Sequence, residues 1–383
     1  MIALSFLSLG TLVALLRFHR IIPEKNIFEP ITILKPLKGV DSGLAENIES
    51  FFQLDYPKFE ILFTVADLRD PSISIVRDLQ SRYPKVNSRL FIGEEKFGHN
   101  PKVNNLAGAY DFASFDLLLI SDSNVRARKN YLCELAAEWK PGVGVITAVV
   151  AGIEPEGLGG WLESIYLNTF YTRGLNLAFA TGNPCVVGKS MLFRKSVAES
   201  FGGIRALGSY LAEDYVIGEN IRKLGLKIVL MKRPIEQFIG KYSFQEFWKR
   251  HIRWGRIRKA HAPLPFLIEP LSMAMVNSLL GAITIHHFFS VPFASCFLSQ
   301  LGLCFLADAI LCAELSDLRW QMPIAWLTRE LLALPLWLAT GSGSSIDWRG
   351  NSFQLHRGGR ITKGGKKWNE EISFGELLPL PTK

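Results

Sequence analysis

The sequence predicts an α/β fold with a mainly parallel sheet covered by helices, and with α-helical membrane segments at both ends of the chain. Two observations lead to this prediction. Between residues 31 and 123, short apolar runs alternate with helical stretches, which is the pattern of a parallel sheet with helices on both faces. Long apolar stretches lie near both ends of the 383-residue chain, which is 48% hydrophobic and has a mean hydropathy of +0.17.

The amino-acid composition indicates which kinds of partner and which cellular compartment suit the protein. The net charge of +8 is combined with 26 Phe and 9 Trp residues, a balance that suits a membrane protein facing anionic lipid or an anionic substrate. No nucleic-acid recognition module accompanies the basic residues, so we predict no nucleic-acid partner. The five cysteines form no CxxC pair, which predicts neither a disulfide framework nor a zinc site and indicates a reducing compartment.

The chain starts with an apolar segment that is followed by Arg17, His19 and Arg20. A secretory signal carries its charge before the apolar stretch and a small-residue cleavage site after it, and this segment has neither. We therefore predict an uncleaved anchor over residues 1–20, with its N-terminus outside and the following domain in the cytosol. The segment is slightly short for the roughly 20 residues that a span needs.

The middle region, which we assign to one domain over residues 28–262, has the strand–helix order of an α/β sheet. It contains no GxGxxG or Walker sequence, which argues against a dehydrogenase or a P-loop protein. Ligands in such sheets bind beyond the carboxyl ends of the strands, so Asp67 and Asp122, which each close a strand, are expected at that edge. The predicted strands are 31–37, 59–67, 89–93 and 115–123, and the predicted helices are 43–53, 71–83 and 101–114.

Asp67 and Asp122 each have a functional and a structural interpretation. At a strand end Asp67 can accept hydrogen bonds from a nucleobase or ribose, but aspartate also favours turns and helix caps. Asp70, just before Pro71, is the better cap. Asp122 is placed to hold a divalent ion against a diphosphate, since Mg²⁺ and Mn²⁺ take oxygen ligands, whereas the alternative is a strand-ending turn. A second acid two positions later would strengthen the metal interpretation, but that residue is Asn124.

Glu213 and Asp214 lie in the first turn of a predicted helix whose last turn carries Arg222 and Lys223. Favourable interaction with the helix dipole is enough to explain this distribution of charges. The functional alternative is a general base, because an attacking alcohol must lose its proton and a positioned carboxylate can accept it.

The basic stretch 245–261 places Arg250, Arg253 and Trp254 within one arc of a helix. Guanidinium groups pair bidentately with phosphate, and tryptophan offers a flat face to a sugar or lipid. The alternative is a juxtamembrane basic helix that contacts anionic headgroups. The stretch comes about 36 residues after Asp214 and immediately before the apolar C-terminal region, which favours dividing it. We assign Arg250, Arg253 and Trp254 to the site, and we expect three later basic residues to meet headgroups: Arg256, Arg258 and Lys259.

Two further segments contribute candidate donor-binding residues. Lys102, Asn104 and Asn105 lie at a predicted helix start, where backbone N–H groups and a lysine can meet phosphate. The Gly/Pro-broken loop 181–194 can lie across a sugar. We include its Cys185 as a small side chain at the donor site rather than as a nucleophile, because no base is evident nearby.

The C-terminal region over residues 263–340 holds three apolar stretches. Two of them, 271–289 and 291–313, are typical of spans joined by an external turn without Lys or Arg. The third, 322–340, contains adjacent ions and two prolines, and a full span there would put the basic tail, residues 341–383, outside. We therefore predict that it is re-entrant or interfacial and that the tail is cytosolic. The tail alternates around Gly-Asn and Gly-Gly like a small hairpin.

The sequence segments described above, taken together and in their order along the chain, resemble the ceramide glucosyltransferases (glucosylceramide synthases) and their bacterial relatives. The resemblance runs over roughly residues 30–360, and it is the combined order rather than any one motif that is specific. It implies a GT-A nucleotide-sugar fold, a UDP-glucose-type donor, a divalent cation (Mg²⁺ or Mn²⁺) and an inverting reaction. The matching segments are "ILKPLKGVD", "VADLRDP", "RLFIG…NPKVNNL", "ISDSNVR", "TGNPCVVGKSM", "LAEDY", "RHIRW" and "WRGNSFQLHRGG".

The resemblance also implies roles for the three aspartates. Asp67 matches the aspartate on the nucleotide side, Asp122 the one that binds the cation and diphosphate, and Asp214 the base. Asn124 departs from relatives that have a second Asp there, which leaves the number of protein ligands to the metal open. The R/Q-x-x-R-W signature of the nucleotide-sugar and acceptor site is matched by Arg250, Arg253 and Trp254.

The sequence therefore predicts transfer of glucose from UDP-glucose to ceramide or a similar membrane lipid. Diacylglycerol or a hopanoid as acceptor, or another UDP-sugar, stays open with the same mechanism. The alternative from a different class is a non-catalytic membrane protein that binds nucleotide sugars or lipids. We predict a multi-pass protein with a cytosolic domain, in a bacterial inner membrane rather than the Golgi, and the oligomeric state is left open.

Overall fold

The computed structural model describes residues 2–22, 28–348 and 351–363. The predicted turn of the tail hairpin, at residues 349–350, and the basic end of the tail from residue 364 onward lie outside the described residues.

The described strands form three sheets: a seven-stranded central sheet, a three-stranded sheet beside it, and a three-stranded sheet near the C-terminus. The strands are β1 Ile31–Leu37, β2 Phe59–Val65, β3 Ser88–Ile92, β4 Leu117–Ser121, β5 Val125–Arg126, β6 Val143–Thr147, β7 Val150–Glu156, β8 Ser190–Arg194, β9 Lys227–Leu230, β10 Ile235–Lys241, β11 Ser345–Trp348, β12 Asn351–Leu355 and β13 Ile361–Lys363.

The helices cover both faces of the central sheet and extend beyond it at both ends of the chain. They are α1 Ile2–Phe18, α2 Leu44–Phe52, α3 Ser72–Arg82, α4 Pro101–Tyr110, α5 Tyr131–Glu138, α6 Gly157–Tyr166, α7 Thr172–Ala180, α8 Lys195–Glu199, α9 Glu213–Lys223, α10 Phe244–His261, α11 Pro263–Ile268, α12 Ala274–Phe289, α13 Phe293–Leu315 and α14 Gln321–Gly341. A π-helical turn, Leu167–Tyr171, joins α6 to α7, and 3₁₀ turns cover Ile204–Leu207, Glu269–Ser272 and Arg357–Gly359.

The central sheet has the strand order β3-β2-β1-β4-β8-β6-β9, in which only β8 runs antiparallel to its neighbours. The prediction of an α/β fold with a mainly parallel sheet is confirmed. The reversal of β8 has a consequence for the site, because Ser190 at its start pairs with Ser121 at the end of β4. The loop before β8 and the loop after β4 therefore lie at the same edge of the sheet.

The apolar strands predicted from the sequence are present because both faces of the sheet are buried. Along β1, Ile33 packs into the core on one face and Leu34 into the core on the other, and both are fully buried. The predicted strands 59–67 and 115–123 are shorter in the structure, ending at Val65 and Ser121, since Asp67 and Asp122 have already left the sheet.

Helix α10 carries the basic stretch, and its start is fixed by a capping box. Ser243 Oγ accepts the backbone N–H of Glu246 at 3.2 Å, and the Glu246 carboxylate accepts the backbone N–H of Ser243 at 2.8 Å. These two bonds satisfy N–H groups that a helix start leaves without partners. The cap fixes where the helix begins, and hence which of its basic residues face the sheet edge.

The membrane-type helices differ in how well they meet the requirements of a span. Among the described residues, α13 alone is long and apolar enough to cross a bilayer. The segment Pro263–Ser272 and helix α12 together meet the same test, but they are bent by 64° where they meet. The first helix has a shorter apolar part, Leu7–Phe18. The number of spans therefore stays a prediction.

The segment predicted to be re-entrant or interfacial forms one unbroken helix, α14. One of its faces is buried against the protein, where Ala325 and Trp326 pack in an apolar cluster with Leu7 and Cys304. The opposite face exposes an apolar stripe at alternating spacings of three and four residues, which is the pattern of an amphipathic helix. The stripe consists of Ile324, Leu327, Leu331, Leu334 and Leu338.

The ions within α14 are buried between helices. Glu330 accepts the backbone N–H of Ala274 at 2.7 Å, and Arg329 pairs with both Glu330 and Asp308. Asp308 also pairs with Arg173 of α7 and accepts the indole N–H of Trp326 at 2.7 Å. These charges therefore link α7, α12, α13 and α14.

The tail folds back onto the middle domain. Strand β12 pairs antiparallel with β11 and with β13, so the tail has the hairpin that its alternation predicts. The backbone N–H of Ile361 donates to Ser209 O at 2.9 Å, and that of Leu211 donates to Gly359 O at 3.2 Å. The described part of the tail therefore lies on the same side of the apolar helices as the domain.

Candidate active site

A cleft of about 2000 Å³ lies at the edge of the central sheet where β1 and β4 end and β8 begins. Residues at the start of α9, along α10 and along α7 complete its wall. Small-molecule sites typically measure roughly 300–1000 Å³. The cleft is therefore large enough for two substrates at once.

Asp122, at the end of β4, is surrounded by lysines. Its carboxylate oxygens lie 2.8 Å from Lys102 Nζ and 3.0 Å from Lys189 Nζ, and its backbone carbonyl accepts a bond from Lys35 Nζ at 2.9 Å. Burial alone would raise the pKa of Asp122, but the charges of Lys102 and Lys189 outweigh it and hold the pKa well below its ordinary value. Asp122 is therefore ionised at neutral pH.

Lys102 joins Asp122 to the start of α9, since its Nζ also lies 2.7 Å from Glu213 Oε1. The expectation that backbone N–H groups at the start of α4 meet phosphate is not borne out. The Asn100 side chain caps the helix there, accepting the N–H groups of Lys102 and Val103 at 2.9 and 3.3 Å. Lys102 therefore contributes its ammonium group to the site rather than its backbone.

Asp214 lies in the cleft wall at the start of α9. Its Oδ2 accepts the backbone N–H of Gly188 at 2.7 Å, and its Oδ1 accepts its neighbour Tyr215's N–H at 2.8 Å. Burial, then the nearby Glu213 charge, raises the pKa of Asp214 to about 6. A carboxylate with a pKa near neutrality is well matched to accept a proton from an alcohol.

Arg250 of α10 is held by an acid that the sequence analysis did not single out. Its Nε lies 3.0 Å from Glu163 Oε1, and the other oxygen of Glu163 lies 2.8 Å from His251 Nε2. Glu163 lies on α6 and is 1% exposed. Burial opposes ionisation, but the charges of Arg250 and His251 lower the pKa of Glu163 to about 2. The ionised glutamate therefore fixes the direction of the Arg250 side chain.

Aromatic rings form one wall of the cleft around Trp254. The guanidinium carbon of Arg250 lies 4.2 Å from the centre of the Trp254 ring, a cation–π contact. Tyr171 stacks on the same ring with centroids 6.0 Å apart, and Tyr166 lies 6.1 Å away. Arg253 also lines the cleft. The three predicted residues of α10 are thus brought together at the cleft, as their helical spacing predicts.

The prediction that Arg256, Arg258 and Lys259 meet headgroups is not supported, because protein groups already hold these three side chains. Arg256 bonds to the carbonyl of Ser345, and Arg258 pairs with Glu269 at 2.9 Å. Lys259 Nζ donates to carbonyls at the end of α14 and just beyond it, at 3.0 Å for Gly341 and 2.7 Å for Gly343. The reason is tertiary: α11, α14 and the tail all return to α10.

The Asp67 carboxylate and the Asn105 amide nitrogen make contacts within the protein, whereas Asn105 Oδ1 is buried and has no hydrogen-bond partner among the described residues. Asp67 has a side chain that is 58% exposed, and it accepts the backbone N–H of Arg69 at 2.9 Å, closing a turn beside the cleft. Asn105 lines the cleft, and its amide donates to Leu37 O and Thr64 O at 3.2 and 3.1 Å, tying β1 to β2. Their donor-binding roles stay predictions.

Cys185 lines the cleft near Asp214. Burial, with a smaller contribution from Asp214, raises the pKa of the Cys185 thiol to about 11. The thiol is therefore protonated at neutral pH, in line with its interpretation as a small side chain rather than a nucleophile.

Lys189 and Glu163 are site residues that the sequence patterns did not predict. Lys189 lies in the segment "VVGKSM", which has the pattern of a loop, and its charge is set against Asp122 only because β8 is antiparallel to β4. Glu163 could have been recognised from the sequence, because it is an acid within the apolar helix "GGWLESIY". A carboxylate in such a helix needs a partner, which in this fold comes from α10.

The profile of glycosyl transferase family 21 matches residues 2–361. The chain belongs to this family. Relatives of this family 21 chain include ceramide glucosyltransferase 3 of Caenorhabditis elegans, which is 32% identical over 90% of this chain and 77% of that protein. Ceramide glucosyltransferase 1 of the same organism is 28% identical over 94% and 78%, and the Candida albicans ceramide glucosyltransferase 26% over 87% and 88%.

The fold of this family 21 member is that of a GT-A glycosyltransferase. A mannosyltransferase from Pyrobaculum calidifontis, solved in complex with GDP-Man and Mn²⁺, superposes with a TM-score of 0.52 at 16% identity. The match covers 89% of this chain and 97% of the other. The predicted resemblance and the predicted fold are both confirmed, and the protein is a glycosyltransferase.

Proposed function

We propose that this glycosyltransferase moves glucose from UDP-glucose to the hydroxyl of ceramide or a similar membrane lipid, with inversion at the sugar carbon. The observation that carries the proposal is Asp214, a carboxylate with a pKa of about 6 in the same cleft as the Asp122 cluster and the aromatic wall. The names of the three relatives above support glucose and ceramide as the substrates.

The donor's diphosphate fits the basic side of the cleft. Lys102, Lys189 and Arg250 line it, and each presents its charge from a fixed partner: Asp122 for the lysines and Glu163 for the arginine. Charge-assisted bonds to phosphate are among the stronger hydrogen bonds in proteins. Cations placed there stabilise the negative charge that grows on the diphosphate as the sugar leaves.

A divalent cation fits this site if the donor supplies part of its coordination. The described residues hold no group of three or more His, Cys, Asp or Glu side chains suited to a metal, but the Asp122 carboxylate lines the cleft. Mg²⁺ commonly binds through one or two carboxylates and substrate phosphates. Held by Asp122 and the phosphate oxygens of the donor, the ion would act as a Lewis acid on the diphosphate.

Asp214 is the base in this proposal. The acceptor oxygen attacks the sugar carbon as the bond from that carbon to the diphosphate oxygen breaks, and its proton passes to Asp214 Oδ1 or Oδ2. UDP leaves with the bonding electron pair. One carboxylate suffices, because a single displacement inverts the configuration.

The acceptor fits the apolar part of the lining of the same cleft. Leu9 of α1, Phe170, and Phe266 and Ile268 of α11 belong to that lining. Both helices are among those that we propose to contact the bilayer, with an anchor over residues 1–20 and further membrane helices over 263–340. A lipid can thus keep its chains among apolar side chains while its hydroxyl reaches Asp214. The domain over residues 28–262 is proposed to face the cytosol.

The experiment that tests this proposal is glycolipid synthesis by membranes that contain the full chain. The membranes are incubated with ceramide, Mg²⁺ or Mn²⁺, and a series of UDP-sugars, and the lipids are identified by mass spectrometry. We expect glucosylceramide from UDP-glucose. A product with diacylglycerol, a hopanoid or another sugar would keep the mechanism and change the substrates. If no common donor gave a glycolipid, the proposal would be refuted.

A further inference from the structure

Lys189 is placed by the antiparallel strand β8 in direct contact with the turn that follows β4. The backbone N–H of Asp122 donates to Lys189 O at 3.3 Å, so the two loops are joined by their main chains as well as their side chains. Lys189 Nζ lies 3.0 Å from Asp122 Oδ2 and 2.8 Å from Asn124 Oδ1. Its side chain is 14% exposed and lines the cleft.

The contacts of Lys189 leave it able to bind a ligand. An ammonium group has three N–H donors, and two of them point to Asp122 and Asn124. Lys102 differs, because it is shared between Asp122 and Glu213 and also donates to Gly188 O at 3.2 Å. Lys35 donates to Ser121 Oγ and Asp122 O, but it is fully buried and is not among the residues that line the cleft. Of the described lysines at Asp122, Lys189 is therefore the one that lines the cleft with an N–H donor to spare.

Asn124 explains why Lys189 takes this position. A carboxylate at residue 124 would be a second metal ligand, whereas the neutral amide presents one oxygen that holds Lys189 Nζ. The exchange of an acid for an amide therefore removes negative charge from the site, and Lys189 adds positive charge at the same point. Both changes favour an anionic ligand.

We propose that Lys189 is a diphosphate ligand of the donor, oriented by Asn124, and that it supplies part of the positive charge that a divalent cation provides. This inference rests on the proposed function for the class of donor, a nucleoside diphosphate sugar. The ammonium group binds a phosphate oxygen of the donor with its free N–H. The nucleotide therefore binds, more weakly, when no divalent ion is present.

The test is calorimetric binding of UDP to the purified full-length protein in detergent, once with EDTA and once with Mn²⁺. For Lys189→Met in EDTA, we expect UDP affinity to fall about tenfold or more, as is usual for loss of a charge-assisted bond. Uridine, which has no diphosphate, should bind the variant and the wild type equally. The gain in UDP affinity on adding Mn²⁺ should be larger for the variant.

Two further variants keep the test interpretable. Lys189→Arg retains the charge and should recover most of the UDP affinity. Lys195→Met is the matched control, because Lys195 follows the other end of β8 and contacts Asp111 O and the Tyr110 ring instead of the cleft. Its UDP affinity should equal that of the wild type.

The outcomes separate this inference from the proposed function. Equal or tighter UDP binding by Lys189→Met in EDTA would overturn the role of Lys189 while leaving the donor class intact. A wild-type protein that binds no UDP in either buffer would overturn both. Weakened UDP binding by the variant, together with no glycolipid from the wild type, would support the role of Lys189 in donor binding and refute the proposed lipid acceptor.

Discussion

The backbone N–H of Gly188 donates to Oδ2 of Asp214 at 2.7 Å, across the cleft loop that precedes β8. A β-carbon at residue 188 would stand 2.9 Å from that same oxygen. The candidate base is thus oriented by a backbone group that can approach this closely because residue 188 is glycine.

Gly188→Ala should lower kcat by roughly tenfold to a hundredfold, because the added methyl group displaces the Asp214 carboxylate by several tenths of an ångström. UDP affinity, measured by calorimetry, should change much less. Gly108→Ala is the control, since a β-carbon there has nothing within 4 Å. Unchanged turnover in Gly188→Ala would show that Asp214 does not need this orientation.

Asp214→Asn should reduce kcat by roughly 10²–10⁴, the range expected for loss of a general base, and leave UDP binding largely intact. Turnover is followed as glycolipid formed per minute, and binding by calorimetry. Asp78→Asn on the exposed face of α3 is the matched control. An equal loss of turnover and UDP affinity in Asp214→Asn would instead make Asp214 a structural or donor-binding residue.

The raised pKa of Asp214 predicts how rate and stability depend on pH. The base must be ionised, so kcat/KM should fall as the pH drops below about 6. The folded protein binds the proton more tightly than the unfolded chain, whose aspartates titrate near 3.9. The contribution of Asp214 to the free energy of unfolding is therefore greatest below about pH 4, and it decreases as the pH rises to about 6.

The raised pKa of Asp214 also predicts how the stability of Asp214→Asn compares with that of the wild type. At pH 8 the variant no longer carries an ionised, buried carboxylate, so its Tm should exceed that of the wild type by several degrees. The difference should disappear near pH 4, where the wild-type carboxyl is protonated. Thermal unfolding in detergent at the two pH values measures this. A lower Tm for the variant at pH 8 would contradict the raised pKa.

Glu163→Gln should weaken both stability and donor binding, because Arg250 loses its anionic partner in a buried position. Loss of one member of such a pair costs about 3 kcal/mol or more of unfolding free energy. A purely structural role would leave the KM for the donor unchanged in the folded fraction, whereas we expect it to rise. Glu156→Gln, seven residues earlier and exposed, should change neither quantity.

Lys259→Met should loosen the tail from α10, since this ammonium group donates to the carbonyls of Gly341 and Gly343. We expect faster limited proteolysis at residues 342–344, where the chain leaves α14. Lys249→Met changes an exposed lysine of the same helix and should leave the cleavage rate as it is. Equal rates for both variants would mean that other tail contacts suffice.

The local elements and the kinds of chemistry could be predicted from the sequence alone. The alternation of apolar runs with helical stretches predicted β1–β4 and α2–α4 to within a few residues, because burial on both faces of a sheet requires continuous apolar strands. The 3.6-residue period also placed Arg250, Arg253 and Trp254 on one arc of α10. The order of motifs identified the family.

The pairing of charged side chains in the site could be learned only from the tertiary structure. The reversal of β8 brings Lys189 to Asp122 and Asn124, and the packing of α6 on α10 brings Glu163 to Arg250. Because α14 and the tail pack against α10, Lys259 donates hydrogen bonds to carbonyl groups of the protein instead of meeting lipid headgroups as expected. Such pairings depend on strand direction and on contacts between residues far apart in the chain, and periodicity along a single segment carries no information about either.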